Sequence, residues 1–375
     1  MILGAYQSGE GALIRPSHLI KLISHNSKRR NKMKIGIIQP LIILLLITLI
    51  GCTSEEFIST TIGKQIGRNV PPEYIHDKEN IVVVTVGTAT PIPGERAQTG
   101  TAIFVNGYFF MFDVGAGVVQ KCENMWLPLQ ELDGVFLTHF HSDHVMDLPN
   151  LINRSWLLGR KDNLHIYGPD SLNTIVKAAN TFLAMDHQHR LDHHGAEIMD
   201  ISKDGGIPHE FHIPQNSKEV IFQQDGITVT AFDVDHEPIE PAVGYVIEYN
   251  GKKVVLSGDT KKNSLLEEIA QNCDLLVHEV MLMSFQQIVE EELTKAGMNR
   301  NAKIIHDIQD YHTDTKEIAE LAQNANVKEL VLNHLAPAPD SRFIKKLYRK
   351  ELKAFKGPIH LANDGDVFIV DGKNK

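Results

Sequence analysis

The stretch 135-VFLTHFHSDHVMDLPN-150 carries His139, His141, Asp143 and His144 within six residues, directly behind an apolar run. Neutral imidazole is the commonest zinc ligand, and carboxylate oxygens complete such shells. Cysteine is scarce: Cys52, Cys122 and Cys273 are the only three. A multi-cysteine zinc module and a disulfide-rich scaffold are therefore excluded. Any metal must be held by His and Asp, and the chain has 19 histidines. Four side chains fill only part of the shells of two ions, so distant segments must supply the rest. Three later apolar runs end in suitable donors: TVTAFDVDHE in His236, KVVLSGDT in Asp259 and ELVLNH in His334. The expected arrangement gives one ion His139, His141 and His236, and a second Asp143, His144 and His334. Asp259 is shared, because a carboxylate bridges two cations and a neutral imidazole does not. Two ions about 3.5–4 Å apart would share a water, lower its pKa and stabilise both entering and leaving oxygens. Two Zn(II) ions are the expected cofactor, although His/Asp shells also accept Mn or Fe.

Elements must bring these donors together. From Ile81 onward, short β-branched and aromatic runs are broken by Gly and Pro: IVVVTVG, TAIFV and YFFMFDVG, then GVFLTH. Helical periodicity follows near 147–158, 170–185, 262–271, 284–296, 314–325 and 341–354. Between them lie LHIYG, EVIFQQ, ITVTAFDV, GYVIEY, KVVLSGD, DLLVHE, ELVLNH, PIHLAND and DVFIV. Strands in groups, then alternating with helices, predict an α/β fold: two mixed sheets flanked by helices, an αββα sandwich over residues 79–375.

The H-x-H-x-D-H cluster with the later His, Asp and His resembles the metallo-β-lactamase superfamily. Within it the chain is most similar to the branch of ribonuclease Z and the zinc arylsulfatases. The resemblance spans roughly 81–370 and rests on VGTATPIP, FDVGAG, THFHSDH, LHIYGP, DHEPIEPAVGY, LSGDT, DLLVHE, DYHTDT and LVLNH, in that order. It implies an αββα hydrolase of phosphodiester or sulfate esters, with hydroxide as nucleophile. It also implies that Asp113 orients a ligand histidine, that Asp143 positions the nucleophile and that His312 assists the leaving group. His278 and Glu279 match a family His-Glu pair placed behind the ligands. Relatives in this family often form homodimers.

The chain departs from ribonuclease Z in two places. That family carries a long Gly/Pro-rich arm that grips tRNA, whereas GYVIEY here runs through NGKK straight into VVLSGDT. The family's H-x-S-x-R becomes His334-Leu335-Ala336-Pro337-Ala338, without hydroxyl or guanidinium. Charge points the same way. Seven of the 37 Lys/Arg and one of the 47 Asp/Glu lie in residues 1–51, leaving 30 basic and 46 acidic side chains beyond them, a net of −16. An acidic body is a poor platform for a long polyanion, so a small anionic ester is the expected substrate and nucleic acid is disfavoured. A His-rich stretch, 186-DHQHRLDHHG-195, is read as a loop over the site, where Arg190, His193 and His194 would meet that ester. Three other readings remain open: a 3′-tRNA-processing endoribonuclease of the ribonuclease Z type, a lactonase or other ester hydrolase, and a non-catalytic zinc-binding lipoprotein.

The first 52 residues read as an address. Lys32 and Lys34 precede the apolar core Leu41–Ile50, which is too short to span a bilayer and fits a secretory signal. Leu49-Ile50-Gly51-Cys52 resembles a bacterial lipobox, which marks Cys52 for lipidation. Met33 is the more natural start. Residues 53–78, with Pro71-Pro72, read as a tether. The expected location is a bacterial membrane facing the periplasm, the outer membrane favoured because Thr53 rather than Asp follows the cysteine.

Overall fold

A computed structural model describes residues 58–64, 70–92 and 94–371. The chain divides into two units, Met1–Arg68 and Asn69–Lys375. Of the first, only a short exposed helix at 58–64 is described. The signal segment and Cys52 lie outside the described residues. No described helix is long and apolar enough to cross a membrane.

Strand β1 (Ile81–Gly87) shows why the second unit is layered. All seven of its residues are buried, as in strands covered on both faces. Ile81 and Val83 enter one core while Val82, Val84 and Val86 enter another, because successive side chains point to opposite faces. β1, β2 (Gly100–Val105), β3 (Tyr108–Phe112), β4 (Gly134–Phe136), β5 (Leu164–Gly168), β6 (Gly206–Glu210) and β14 (Asp366–Val370) form a seven-stranded sheet in the order β14-β1-β2-β3-β4-β5-β6. It is antiparallel from β14 to β3 and parallel from β3 to β6. The second sheet has seven strands in the order β13-β12-β11-β10-β9-β8-β7. These are β7 (Lys218–Gln224), β8 (Ile227–Asp233), β9 (Val243–Tyr249), β10 (Lys252–Leu256), β11 (Leu275–Met281), β12 (Leu330–Ala336) and β13 (Ile359–Leu361). Here β13 to β10 run parallel and β10 to β7 antiparallel.

The sheets face each other across a core holding Phe110, Phe112, Phe136 and Tyr245. Helices α1 (Val118–Asn124), α3 (Leu148–Leu157) and α4 (Leu172–His194) cover the outer face of the first sheet. The second is covered by α5 (Ser264–Ile269), α8 (Thr315–Asn324) and α9 (Arg342–Glu351). The result is the four-layer αββα arrangement. The single-turn helix α2 (Ser142–Val145) follows β4, and α6 (Met283–Lys295) packs on α7 (Asn299–Asp307).

Three hairpins close on two-residue turns, Asn106-Gly107, Asp225-Gly226 and Asn250-Gly251, each residue with positive φ. Asn-Gly and Asp-Gly fit such turns because glycine takes positive φ without a Cβ penalty and Asn and Asp tolerate it. The last joins β9 to β10, with Tyr249 paired to Lys252, so the two strands connect with no room for an arm.

Two expectations are corrected. Residues 186–194 are no loop. They are the last turns of the 23-residue α4, which stops at Gly195. The Asp186–Arg190 ion pair at i,i+4 suits that helix. The segment 70–78, read as tether, is partly packed: Ile75 is buried and Tyr74 meets Phe104 edge-on.

Candidate metal centre

The parallel strand β4 delivers the first donors. Thr138 and His139 follow it, and His141 precedes α2, whose first turn holds Asp143 and His144. Gly115 lets this turn approach: a Cβ there would lie 2.1 Å from the Asp143 carbonyl oxygen. The facing sheet supplies the others. His236 lies just beyond β8 and Asp259 just beyond β10. His334 does not end its strand. It sits inside β12 with φ +44°, beside a register shift against β11. That left-handed conformation is uncommon for a non-glycine residue and is often found where a side chain must be aimed.

All seven side chains meet. His139, His141, His236 and Asp259 offer donor atoms within 4.8 Å of one another, and so do Asp143, His144 and His334. Asp259 Oδ2 stands between the groups, 3.2 Å from His144 Nε2, 3.2 Å from His334 Nε2 and 4.0 Å from His139 Nε2. His139 Nε2 and His141 Nδ1 face each other at 3.1 Å.

Neighbours determine which nitrogens point inward. Asp113, itself at φ +57°, accepts from the Thr138 backbone N–H at 2.8 Å and from Thr138 Oγ1 at 2.9 Å. It also accepts from His144 Nδ1 at 2.8 Å. The Thr138 hydroxyl, having donated its proton, accepts from His139 Nδ1 at 3.0 Å. His236 Nδ1 donates to the Tyr311 carbonyl at 2.9 Å. In each ring the Nδ1 proton is engaged outward, which assigns a lone pair to Nε2. The Nε2 atoms of His144 and His236 are buried without a hydrogen-bond partner. Buried polar atoms rarely go unpaired, so orphaned imidazole nitrogens converging on carboxylates fit a divalent cation.

The electrostatics agree. Burial lowers the His139 and His141 pKa values, and that of His236 to about 4, favouring the neutral ligand form. Burial opposes charge on His144 and His334 too, but Asp259 with Asp113 and Asp143 outweighs it and raises both. Burial would raise the Asp259 carboxyl, yet His334 and His144 hold it well below the usual range.

His312 is buried and its ring stacks on His334, centroids 5.4 Å apart. Its donor atoms also group with Asp259 and His334. Burial lowers its pKa to about 4. Glu279 Oε1 lies 3.3 Å from His312 Nδ1 and accepts from the Thr313 backbone N–H at 2.7 Å. Burial, then Asp259, raises the Glu279 carboxyl well above its ordinary value. Glu279 thus backs His312. His278 Nδ1 contacts the Glu279 carbonyl at 2.5 Å.

Arg190, His193 and His194 are not brought to the centre. Arg190 pairs with Asp186, His193 and His194 are exposed at the end of α4, and none lines the cavity beside the cluster. Thr138, Tyr311 and α7 are contributors the sequence did not single out. Only Thr138 had a visible signal: a hydroxyl between a strand and a ligand histidine.

A family model described as "Beta-lactamase superfamily domain" matches residues 109–335. A protein named ribonuclease Z from Mycobacterium bovis (strain BCG / Pasteur 1173P2) is 30% identical over 286 residues, 75% of this chain and 95% of that protein. Its counterpart from Mycolicibacterium paratuberculosis is 29% identical over 288 residues, 76% and 96% of the two chains. Among solved structures, the metallo-beta-lactamase fold protein YhfI from Bacillus subtilis is 22% identical with a TM-score of 0.55, covering 77% of this chain and 99% of that one. The short form of human tRNase Z is 20% identical, with the same TM-score of 0.55 and the same coverage of 77% and 99%.

Proposed function

The chain belongs to the metallo-β-lactamase superfamily, and from that premise we propose that it is a dinuclear, metal-dependent phosphodiesterase with a ribonuclease Z-type reaction. The observation that carries the proposal is the position of Asp259 Oδ2 between two donor groups, 3.2 Å from both His144 Nε2 and His334 Nε2. In this reading His139, His141 and His236 would hold one ion and Asp143, His144 and His334 the other, with Asp259 available to either. The ions would lower the pKa of water and offset charge on the phosphoryl oxygens. The chain's own residues do the rest. Asp113 and Thr138 hold the imidazoles of His144 and His139 in one tautomer. Asp143 Oδ2, 3.1 Å from His334 Nε2, would orient the attacking water. His312 lines the same cavity and serves as the acid for the leaving oxygen. Glu279 Oε1, 3.3 Å from His312 Nδ1, would hold and orient that imidazole.

The relatives named ribonuclease Z favour pre-tRNA 3′ processing, the reading the sequence alone placed second. A specific observation keeps a small phosphodiester as the rival: β9 and β10 join through Asn250-Gly251, where the tRNA-gripping arm would be expected. Sulfate ester hydrolysis rests on the family resemblance alone. Export and lipidation at Cys52 rest on sequence features alone, and a lipid-anchored, exported chain would not meet pre-tRNA.

One panel separates these readings. The purified, metal-loaded full chain is given pre-tRNA with a 3′ trailer, bis(p-nitrophenyl) phosphate and p-nitrophenyl sulfate, with Asp259→Ala as blank. Trimming at the 3′ side supports the ribonuclease Z reading. Turnover of the aryl diester with intact pre-tRNA supports the rival. No turnover of either phosphodiester by a chain holding two ions would end the phosphodiesterase proposal.

A further inference from the structure

Beside the ligand cluster opens a cavity of about 460 Å³ that shares His141, Asp143, Asp259, His312 and His334 with it. The rest of its lining is mainly apolar, led by Pro91, Ile92, Met281, Ile304, Ile305 and Ile308, with Thr90, Ser142 and Tyr311 as polar members. Three separate segments build it: the loop after β1, the end of β11, and α7 with the turn that follows. Ile92 and Ile304 are each 49% exposed, so this wall is open and available. Among the described residues no Lys or Arg lines the cavity, and all of its charged or titratable lining belongs to the candidate centre or to Tyr311. A substrate held there gains nothing from a second phosphate but gains from a flat apolar group next to the reacting one.

Resting on the phosphodiesterase reading above, we propose that this wall is the subsite for a flat ring carried by the ester beside the scissile phosphorus, a nucleobase or an aryl group, and that it selects such diesters over alkyl ones. Burying a ring of that size against apolar side chains gives about a tenfold to hundredfold gain in affinity. Two sources share this chemistry, an unstacked base of RNA and an aryl ester, and paired ligands distinguish them.

The test reads binding rather than turnover. Calorimetric titration of the metal-loaded full chain compares diphenyl with dimethyl phosphate, and the dinucleotide UpU with an analogue lacking both bases. At least one ringed ligand is expected to bind about tenfold or more tightly than its ringless partner, and the pair with the larger ratio names the source. Ile304→Ser on α7 and Ile92→Ser in the loop after β1 are each expected to reduce that ratio severalfold. Phe182→Ser, at an exposed position on α4, should leave it unchanged. Two independent segments guard against one variant misfolding, which a thermal melt reports. Ratios near one for both pairs, or ratios unaffected by both isoleucine variants, would overturn the subsite. Selective ring binding by a chain that hydrolyses no phosphodiester would leave the subsite standing and remove the reaction assigned above.

Discussion

Asp113 shows how much a single side chain outside the donor set can decide. It accepts three hydrogen bonds and through them aims His144 and His139. Asp113→Ala should lower metal affinity or activity by about 10- to 100-fold while the fold persists, which metal titration and circular dichroism would report. Gly115→Ala acts from the other side, since its Cβ would collide with the Asp143 carbonyl. Retraction of α2 and a weakened second ion are expected, read as one equivalent of metal lost on dialysis. His278 gives a pH test. Burial lowers its pKa to about 4, so the unfolded chain takes up a proton there from about pH 6.5 downward while the folded chain does not. The stability it contributes is present above that range and lost as pH falls through it. In metal-free protein, His278→Gln should flatten the stability slope between those values by about one proton. Cys122 and Cys273 are buried, and burial raises both thiols. Neither should react with iodoacetamide at pH 8 until the protein is unfolded.

At the scale of elements, the convergence of the seven candidate donors was legible because metal chemistry narrows the residue types and apolar runs narrow the positions, although His334 lies inside its strand rather than at its end. Asp113 and His312 needed the family resemblance, since a strand-end Asp and a turn His have many ordinary uses. The end of α4 was missed although its signals are local: Asp186 and Arg190 are four apart, and Gly195 stops the helix at φ +80°. Histidine density drew attention away from that spacing. Helix α7 was missed for the opposite reason. NRNAKIIHD is short and polar on average, and its isoleucines gain meaning only against Pro91 and Ile92 from far away in the chain. Arg160 ties α3 to the segment before β6. It donates to the carbonyls of Ile152, Asp162, Lys203 and Gly205 and to Ser155 Oγ. Arg160→Met would strand several of these buried acceptors and should cost about 2–4 kcal/mol in urea unfolding.

For the whole molecule, the donor set is divided. His139, His141, Asp143 and His144 follow the first sheet; His236, Asp259 and His334 come from the second. Cations held between them would therefore add a link between two layers that also meet through apolar packing and through hydrogen bonds such as Tyr245 Oη to the Leu137 carbonyl. A ligand bound only by the folded state adds stability by mass action. Chelation should lower the melting temperature by several degrees, and adding back metal should restore it.

The Asn250-Gly251 turn has a consequence of its own. Two residues on the outside of a hairpin can be exchanged for a long excursion at small entropic cost, because closing a loop becomes only slowly harder as it lengthens. Such a position is a natural graft point. A cationic segment spliced in there would leave every strand pairing intact while projecting from the end of β10 opposite to Asp259, so a new grip on a large partner would be added at a hairpin tip without touching the donor cluster.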